Sequence, residues 1–377
     1  MLGLHLADLH LGKRLKEFSL LEEQRDVLEQ VVAYCEKYMV SFVILAGDIF
    51  DKGIPPVEAL EIFDEFLGKL SKMNVEVLVL GGNHDSAERL GFLRSFLKHH
   101  HIHLVTQYQG EVEKIELVKD GEKVCFYMLP FVKPADVRRY LPEEERIAIT
   151  SYHDAVKVAL DKTALEADSV NILVAHQFVT GADRCESEEI SVGGLDNVSA
   201  EAMEAFDYVA LGHIHSPQYI KDHPNMRYSG TPLKYSFSEC GQTKSMTVLD
   251  VKDDKVAIST EPFKVLRELY MLRGTFAELT ASSMVEQYHD AYLHITLTDE
   301  EEILNVLSDM RTLYPHLCYL TFDNSRTRPL NQNVEVAVEK SPLELISSFF
   351  EQRCGHAMSE EQQQLLQDLL EKVQVEK

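Results

Sequence analysis

The sequence predicts an α/β (α+β) protein: β-structure flanked by helices, a small α/β capping module, and C-terminal helices. Three observations predict it. Apolar runs alternate with amphipathic helices over residues 1 to about 262. Two later hairpin signals make part of the β-structure antiparallel. Composition shifts after Pro262, and again at a polar stretch from Asn324 to Lys340.

Taken in order, Leu2–Ala7 has the length and apolar content of a buried strand. Ser19-Leu20-Leu21-Glu22 reads as a capping box opening a helix to about Tyr38. Phe42–Ala46 is a second strand. Val57–Ser71, after Pro55-Pro56, is a second helix. Val75–Leu80 is a third strand and Ala87–Lys98 a third helix. Apolar, weakly alternating strands in this order favour a sheet covered on both faces. Glu111–Leu117 and Lys123–Leu129 flank Asp120-Gly121, a hairpin signal. Asn171–Ala175 and Tyr208–Leu211 add strands, and Ser245–Asp250 pairs with Lys255–Thr260 across Asp253-Asp254. The result is a mixed sheet, either single or split into a two-sheet sandwich.

Beyond Pro262, predicted strands at Val265–Leu272, Tyr292–Leu297 and Leu317–Phe322 alternate with helices near Phe276–Gln287 and Glu300–Leu313. This is read as a substrate-shaping cap. Ser341-Pro342-Leu343-Glu344 supplies an N-cap, an N1 proline and an N3 glutamate. Ser359-Glu360-Glu361-Gln362 caps a second helix. Short amphipathic helices cannot bury their apolar faces alone and must dock on the main body or on a partner, with a partner favoured. The expected domains are 1–262, a cap at 263–325, a linker at 326–340 and a helical partner-binding segment at 341–377.

The chain has 377 residues, 45% of them hydrophobic and 26% charged, as in soluble globular proteins. No apolar run is long enough for a membrane span, and the N-terminus lacks signal-peptide character. Six scattered cysteines without a Cys-x-x-Cys pair read as reduced thiols in a cytoplasmic protein. A net charge of −25 argues against a free-standing nucleic-acid binder. It leaves a nucleic-acid substrate open, because bound cations reverse the local field and a partner could supply basic surface.

Five strand ends carry the chemistry: Asp8-Leu9-His10, Gly47-Asp48, Gly81-Gly82-Asn83-His84-Asp85, Ala175-His176 and Gly212-His213-Ile214-His215. Ligands of α/β sheets bind beyond the carboxyl ends of strands. Carboxylates, imidazoles and an amide without thiolate suit hard-to-borderline divalent metals. Taken singly, each cluster also reads as a cap, a turn or a core histidine; their shared position joins them. Parity along an extended segment puts Asp8 and His10 on one side, and likewise His213 and His215. We expect Asp8, His10, Asp48 and His215 on one ion. Asp48, Asn83, His176 and His213 would hold the other, with glycines 47, 81, 82 and 212 turning the backbone sharply. His84 is set apart as a general acid oriented by Asp85. His99-His100-His101 with His103 reads as a solvated helix end.

This motif series resembles the calcineurin-like metallophosphoesterases. Within them, Ala7-Asp8-Leu9-His10-Leu11-Gly12-Lys13, Ala46-Gly47-Asp48-Ile49-Phe50-Asp51, Tyr228-Ser229-Gly230-Thr231-Pro232-Leu233 and the two C-terminal caps resemble the bacterial SbcD nuclease-subunit family. Two departures are Ala175, where glycine is frequent, and Ser-Gly-Thr-Pro, where Ser-Pro is common. The resemblance implies a metallophosphoesterase β-sandwich and a nuclease using two divalent ions, manganese first. It implies exonuclease action on double-stranded DNA ends and endonuclease action on single strands or hairpins, in recombination, repair and replication. It also implies a coiled-coil ATPase partner of the SbcC type, held by residues 341–377, and a homodimer. Lys13 and Arg14 are candidate DNA-backbone contacts, with Tyr228 and Ser229 on the substrate edge. The rival readings are a small-molecule phosphodiesterase or nucleotidase and a non-catalytic DNA-binding scaffold.

Overall fold

The computed structural model describes residues 1–119, 121–183, 197–325, 327, 346–347, 349–351, 357–359 and 362–366. The first half of the chain runs β1 (Leu2–Leu6), α1 (Leu21–Tyr38), β2 (Phe42–Leu45), α2 (Val57–Lys72), β3 (Glu76–Leu80) and β4 (Ile102–Val105). It continues through β5 (Glu113–Lys119), β6 (Glu122–Leu129), α3 (Tyr152–Asp161), β7 (Val170–His176) and β8 (Tyr208–Gly212). Then come β9 (Gln218–Ile220), β10 (His223–Tyr228), β11 (Ser245–Lys252) and β12 (Lys255–Pro262).

Of the two alternatives, the sandwich is the one that forms. One six-stranded sheet has the order β12-β11-β1-β2-β3-β4 and the other β9-β10-β8-β7-β6-β5. The strands that precede the five clusters run parallel to one another within each sheet: β1–β2–β3 in the first and β7–β8 in the second. Alternation along β2 explains the layers. Phe42 and Ile44 point to the core between the sheets, where Phe42 meets Phe126 edge-on at 4.9 Å. Val43 and Leu45 face α1 and α2. Gly3 stays bare because a Cβ there would fall 2.0 Å from the Phe42 ring. Leu173, Val209 and Leu211 of the second sheet pack with Val156 and Ala159 of α3.

Two expectations are corrected near the N-terminal strands. Leu20, not Ser19, is the N-cap of α1 and makes no side-chain cap bond; Ser19 ends a small hairpin instead. The predicted helix over 87–98 breaks into Ala87–Leu90 and Arg94–Leu97, because Leu93 adopts φ 63°. The second hairpin turns through Asp253 and Asp254, both at positive φ.

The module after Pro262 is a three-stranded sheet, β13 (Leu269–Gly274), β14 (Tyr292–Leu297) and β15 (Leu317–Phe322), in that order. Its long helix covers Val306–Leu313 rather than starting at Glu300, and the helix expected near Phe276–Gln287 is split into Phe276–Leu279 and Ser282–Tyr288. Two compact units result. One comprises Met1–Thr296 and Leu304–Thr321; the other comprises Leu297–Ile303 and Phe322–Lys377. The first C-terminal cap, Ser341 to Glu344, lies outside the described residues. At the second, the Gln362 N–H donates to Ser359 Oγ at 3.3 Å and the Ser359 N–H to Gln362 Oε1 at 2.9 Å, a closed capping box. Among the described residues, no helix is long and apolar enough to cross a membrane.

Candidate metal centre

Every ligand candidate stands at or just past the carboxyl end of a parallel strand. Asp8 and His10 follow β1, Asp48 follows β2 and Asn83 follows β3. His176 ends β7, and His213 and His215 follow β8. The two sheets meet tightly there. A Cβ on Gly47 would lie 2.1 Å from His176 Nδ1, and one on Gly212 would lie 1.9 Å from the Ala46 carbonyl oxygen.

The route to convergence differs from the parity argument. Asp8, His10, Asp48 and His213 all lie beyond their strands, with φ of 53°, 43°, 51° and 98°. Left-handed backbone, not extended alternation, aims these side chains inward. Such values are costly for residues with a Cβ and persist only where the surroundings enforce them. Of the four glycines expected to turn the chain, only Gly47 has positive φ, 93°. Gly81, Gly82 and Gly212 are required by close approach instead.

The side chains form two overlapping groups. His10 Nε2 lies 3.1 Å from His215 Nε2 and 3.7 Å from Asp48 Oδ2. His176 Nε2 lies 3.3 Å from Asp48 Oδ2 and 3.1 Å from Asn83 Oδ1, and His213 Nδ1 lies 2.9 Å from Asn83 Oδ1. Asp8 accepts the His213 backbone N–H at 2.9 Å. Potential ligand atoms of Asp8, His10 and His215 lie within 4.8 Å of one another, as do those of Asp8, Asp48 and His176 and those of His10, Asp48 and His84.

These donors fit divalent cations. Two nitrogens about 2.1 Å from one ion, subtending roughly a right angle, lie about 3 Å apart. That is the His10–His215 spacing. Burial drives the His10 imidazole down to about 3 despite Asp48, and burial with His10 and Lys244 nearby takes His215 well below its ordinary value. Both rings are therefore neutral, as metal ligands must be. Burial would raise Asp48, but His176, His10 and His84 hold it well below the carboxylate range. Burial would lower His176, yet Asp48, Asp8 and the Ala46 carbonyl raise it to about 9. A buried carboxylate here demands a positive charge, which a proton on His176 supplies when no ion is bound. The His176 Nδ1–H donates to the Ala46 carbonyl at 2.8 Å, which leaves Nε2 facing the site.

His84 stands at the rim. Its Nδ1 bonds the Asp51 carbonyl at 3.1 Å, and its Nε2 lies 4.0 Å from Asp48 Oδ2. Asp85 does not orient this ring. Its carboxylate accepts the N–H groups of Ile49, Phe50 and Gly82, tying the β2 and β3 loops together. Burial and then Asp48 push it up to about 6. Its expected catalytic role is thus corrected to a structural one.

Lys13 pairs with Asp51 at 2.8 Å beside His10, and Arg14 donates to the Glu17 carbonyl. Tyr228 and Ser229 are corrected as DNA contacts, since both are fully buried. The Tyr228 hydroxyl donates to the Gln177 carbonyl and the Ser229 hydroxyl to the His5 carbonyl. His101 and His103 close on the two oxygens of Glu76, each at 2.7 Å.

Sequence reasoning passed over Gln24 and Phe131, and it took Asp51 and the Tyr235-Ser236-Phe237 stretch only as parts of a resemblance, without a role. Phe131 stacks on His213 at 5.9 Å, and its backbone N–H donates to the Gly81 carbonyl. The Tyr235 ring meets His10 edge-on at 5.8 Å. Gln24 and Tyr235 follow no strand, and Phe131, two residues past β6, is apolar and so lies outside the pattern that exposed the ligand candidates.

Known proteins share this chain's sequence pattern. A relative from Staphylococcus epidermidis (strain ATCC 12228 / FDA PCI 1200), named as the D subunit of nuclease SbcCD, is 29% identical over 374 residues, 97% of each chain. A solved dimetal phosphatase from Danio rerio is 11% identical with a TM-score of 0.39, covering 70% of this chain and 98% of its own. Residues 265–353 match the type 5 capsule protein repressor C-terminal domain. Residues 2–217, more than half the chain and the stretch holding every ligand candidate, match the calcineurin-like phosphoesterase model, and the chain belongs to that family.

Proposed function

We propose that the protein is the nuclease subunit of an SbcCD-type complex, hydrolysing DNA phosphodiesters with two divalent ions, most naturally manganese. The observation that carries this reading is the meeting of two carboxylates, four imidazoles and an amide at one sandwich edge, in a chain similar throughout its length to a nuclease subunit. Double-stranded ends would be cut exonucleolytically and single strands or hairpins endonucleolytically, in recombination, repair and replication.

Asp8, His10, Asp48 and His215 would hold one ion, and Asp48, Asn83, His176 and His213 the other. Ions so held would polarise the phosphodiester and lower the pKa of an attacking water. The rest of the chemistry belongs to the chain. With Nδ1–H fixed on the Asp51 carbonyl, His84 presents Nε2 to the pocket, and its side chain is 19% exposed, within reach of substrate. From there it protonates the departing sugar oxygen. Phe131 holds the His213 ring flat against its own face.

The module at 263–325 would cap the DNA site. Residues 341–377 would bind a coiled-coil ATPase of the SbcC type, supported by exposed Phe349 and Leu365. A homodimer is supported by an exposed apolar face: Ile54, Leu60, Phe92, Leu93 and Phe96 are 47–73% exposed. Sedimentation should show a dimer that Phe92→Asp with Phe96→Asp converts to monomer; an unchanged dimer would reject this face. The function itself is tested on manganese-loaded protein. Cleavage of a DNA hairpin and of single-stranded DNA is expected. Turnover confined to a small chromogenic phosphodiester would transfer the protein to the small-molecule phosphodiesterases.

A further inference from the structure

Gln24 lies on α1, away from the strand ends, yet it is 2% exposed and directs its whole carboxamide at the first ligand loop. Its Oε1 accepts the Gly12 N–H at 3.0 Å. Its Nε2 donates to the His10 carbonyl at 2.8 Å, the Leu9 carbonyl at 3.2 Å and the Tyr235 hydroxyl at 3.0 Å. The Tyr235 hydroxyl in turn donates to the Leu9 carbonyl. This loop contains the left-handed Asp8 and His10 and, at φ 93°, Gly12. A strained backbone stays strained only if something over-determines it. On one side of residues 9–12 that something is backbone pairing with the loop after β2, His10 N–H to the Asp48 carbonyl and Leu11 N–H to the Ile49 carbonyl; on the other it is one glutamine side chain and the tyrosine behind it.

The preceding residue faces elsewhere. Glu23, also 2% exposed, accepts Arg267 Nη1 at 2.6 Å and the Tyr292 hydroxyl at 2.7 Å, both from the module after Pro262. The same module grips the hairpin just past the ligand loop: Phe18 packs on Tyr292 and His316, Lys16 lies over the Tyr319 ring, and Arg311 pairs with Glu17. One turn of α1 therefore holds the ligand loop with Gln24 and the module with the residue before it. His176 and His213 are braced by other groups. The Ala46 carbonyl holds the His176 ring, and Asp8 and Phe131 hold His213.

We propose that Gln24 is a positioning residue that sets the affinity of the ion site built on Asp8 and His10 independently of the other, and that Glu23 seats the capping module on the same helical turn. This rests on the two-ion reading above, but its test needs no DNA. The purified full-length protein is titrated with manganese alone, followed by calorimetry and by the electron paramagnetic resonance of free Mn2+. Gln24→Met keeps the volume and removes every bond to the loop. One of the two binding steps should weaken about 10–100-fold, the usual cost of losing a ligand's outer support, while the other moves less than about twofold. His213→Ala should leave a single step, and adding Gln24→Met should weaken that step by the same factor. Tyr235→Phe, which leaves the fold intact if Gln24→Met does not, should weaken the same step by a smaller factor. Unchanged affinities, or equal losses at both sites, overturn the proposal. If the unaltered protein binds two ions but cuts no DNA, the nuclease reading fails and this one stands.

Discussion

His84 and Asp85 are neighbours in sequence with separate jobs. The imidazole faces the pocket from a fixed carbonyl, and the carboxylate faces three backbone amides. His84→Ala should lower hairpin cleavage about 10²–10⁴-fold, the range for a lost general acid, while calorimetry still finds both ions. A variant that cuts normally would remove His84 from the chemistry. Gly82 tests packing at the same edge. A Cβ there would fall 2.1 Å from Asp48 Oδ1 and 2.4 Å from its backbone nitrogen. Gly82→Ala should cost about 1–3 kcal/mol in urea unfolding and displace the shared carboxylate, with loss of manganese binding. The ligand candidates were legible as a group because each follows an apolar run that ends in polar residues. Gln24 and Tyr235 were not, since a glutamine inside an amphipathic helix and a tyrosine in a loop look the same whether or not they brace a distant segment.

At the level of elements, length and type were legible wherever burial set the pattern. α2 was expected over Val57–Ser71 and occupies Val57–Lys72; β3 was expected over Val75–Leu80 and occupies Glu76–Leu80. The helix expected over 87–98 failed because Leu93 takes a left-handed turn that no residue preference announces. Leu90 stays buried, but Phe92, Leu93 and Phe96 are turned outward, and Phe92 is 71% exposed. The link between β3 and β4 carries a pH signature. Hydrogen bonds from His103 and His101 hold the Glu76 carboxyl below its ordinary value of 4.5. A depressed acid stabilises the fold above its unfolded pKa and loses that contribution as pH falls through the folded one. The gap in urea midpoint between the protein and Glu76→Gln should be steady at pH 6 and shrink below about 4.5. A gap that grows on acidification would contradict the assignment.

Across the whole molecule, the alternation of strands and helices showed the class, but the choice between one sheet and two was closed only by long-range pairing, such as Leu2 with Asp250. Because the ligand candidates come from both sheets, ions bound among them would tie the sheets together. Manganese at about 100 times its dissociation constant should stabilise each site by about 2.7 kcal/mol. The melting temperature should rise with manganese and fall back with chelator; no shift would mean that the sheets hold their positions without the ions. The same arrangement has a consequence in time. His10 meets His215 across 205 positions of chain. At synthesis rates of about 5–20 residues per second, the first histidine waits at least roughly ten seconds for the second to be made. β1 waits longer still for its antiparallel neighbour β11, whose Val251 carbonyl receives the N-terminal amine. No nascent chain that stops short of His215 carries every ligand candidate, so both ion sites can form only after more than half of the protein has been made.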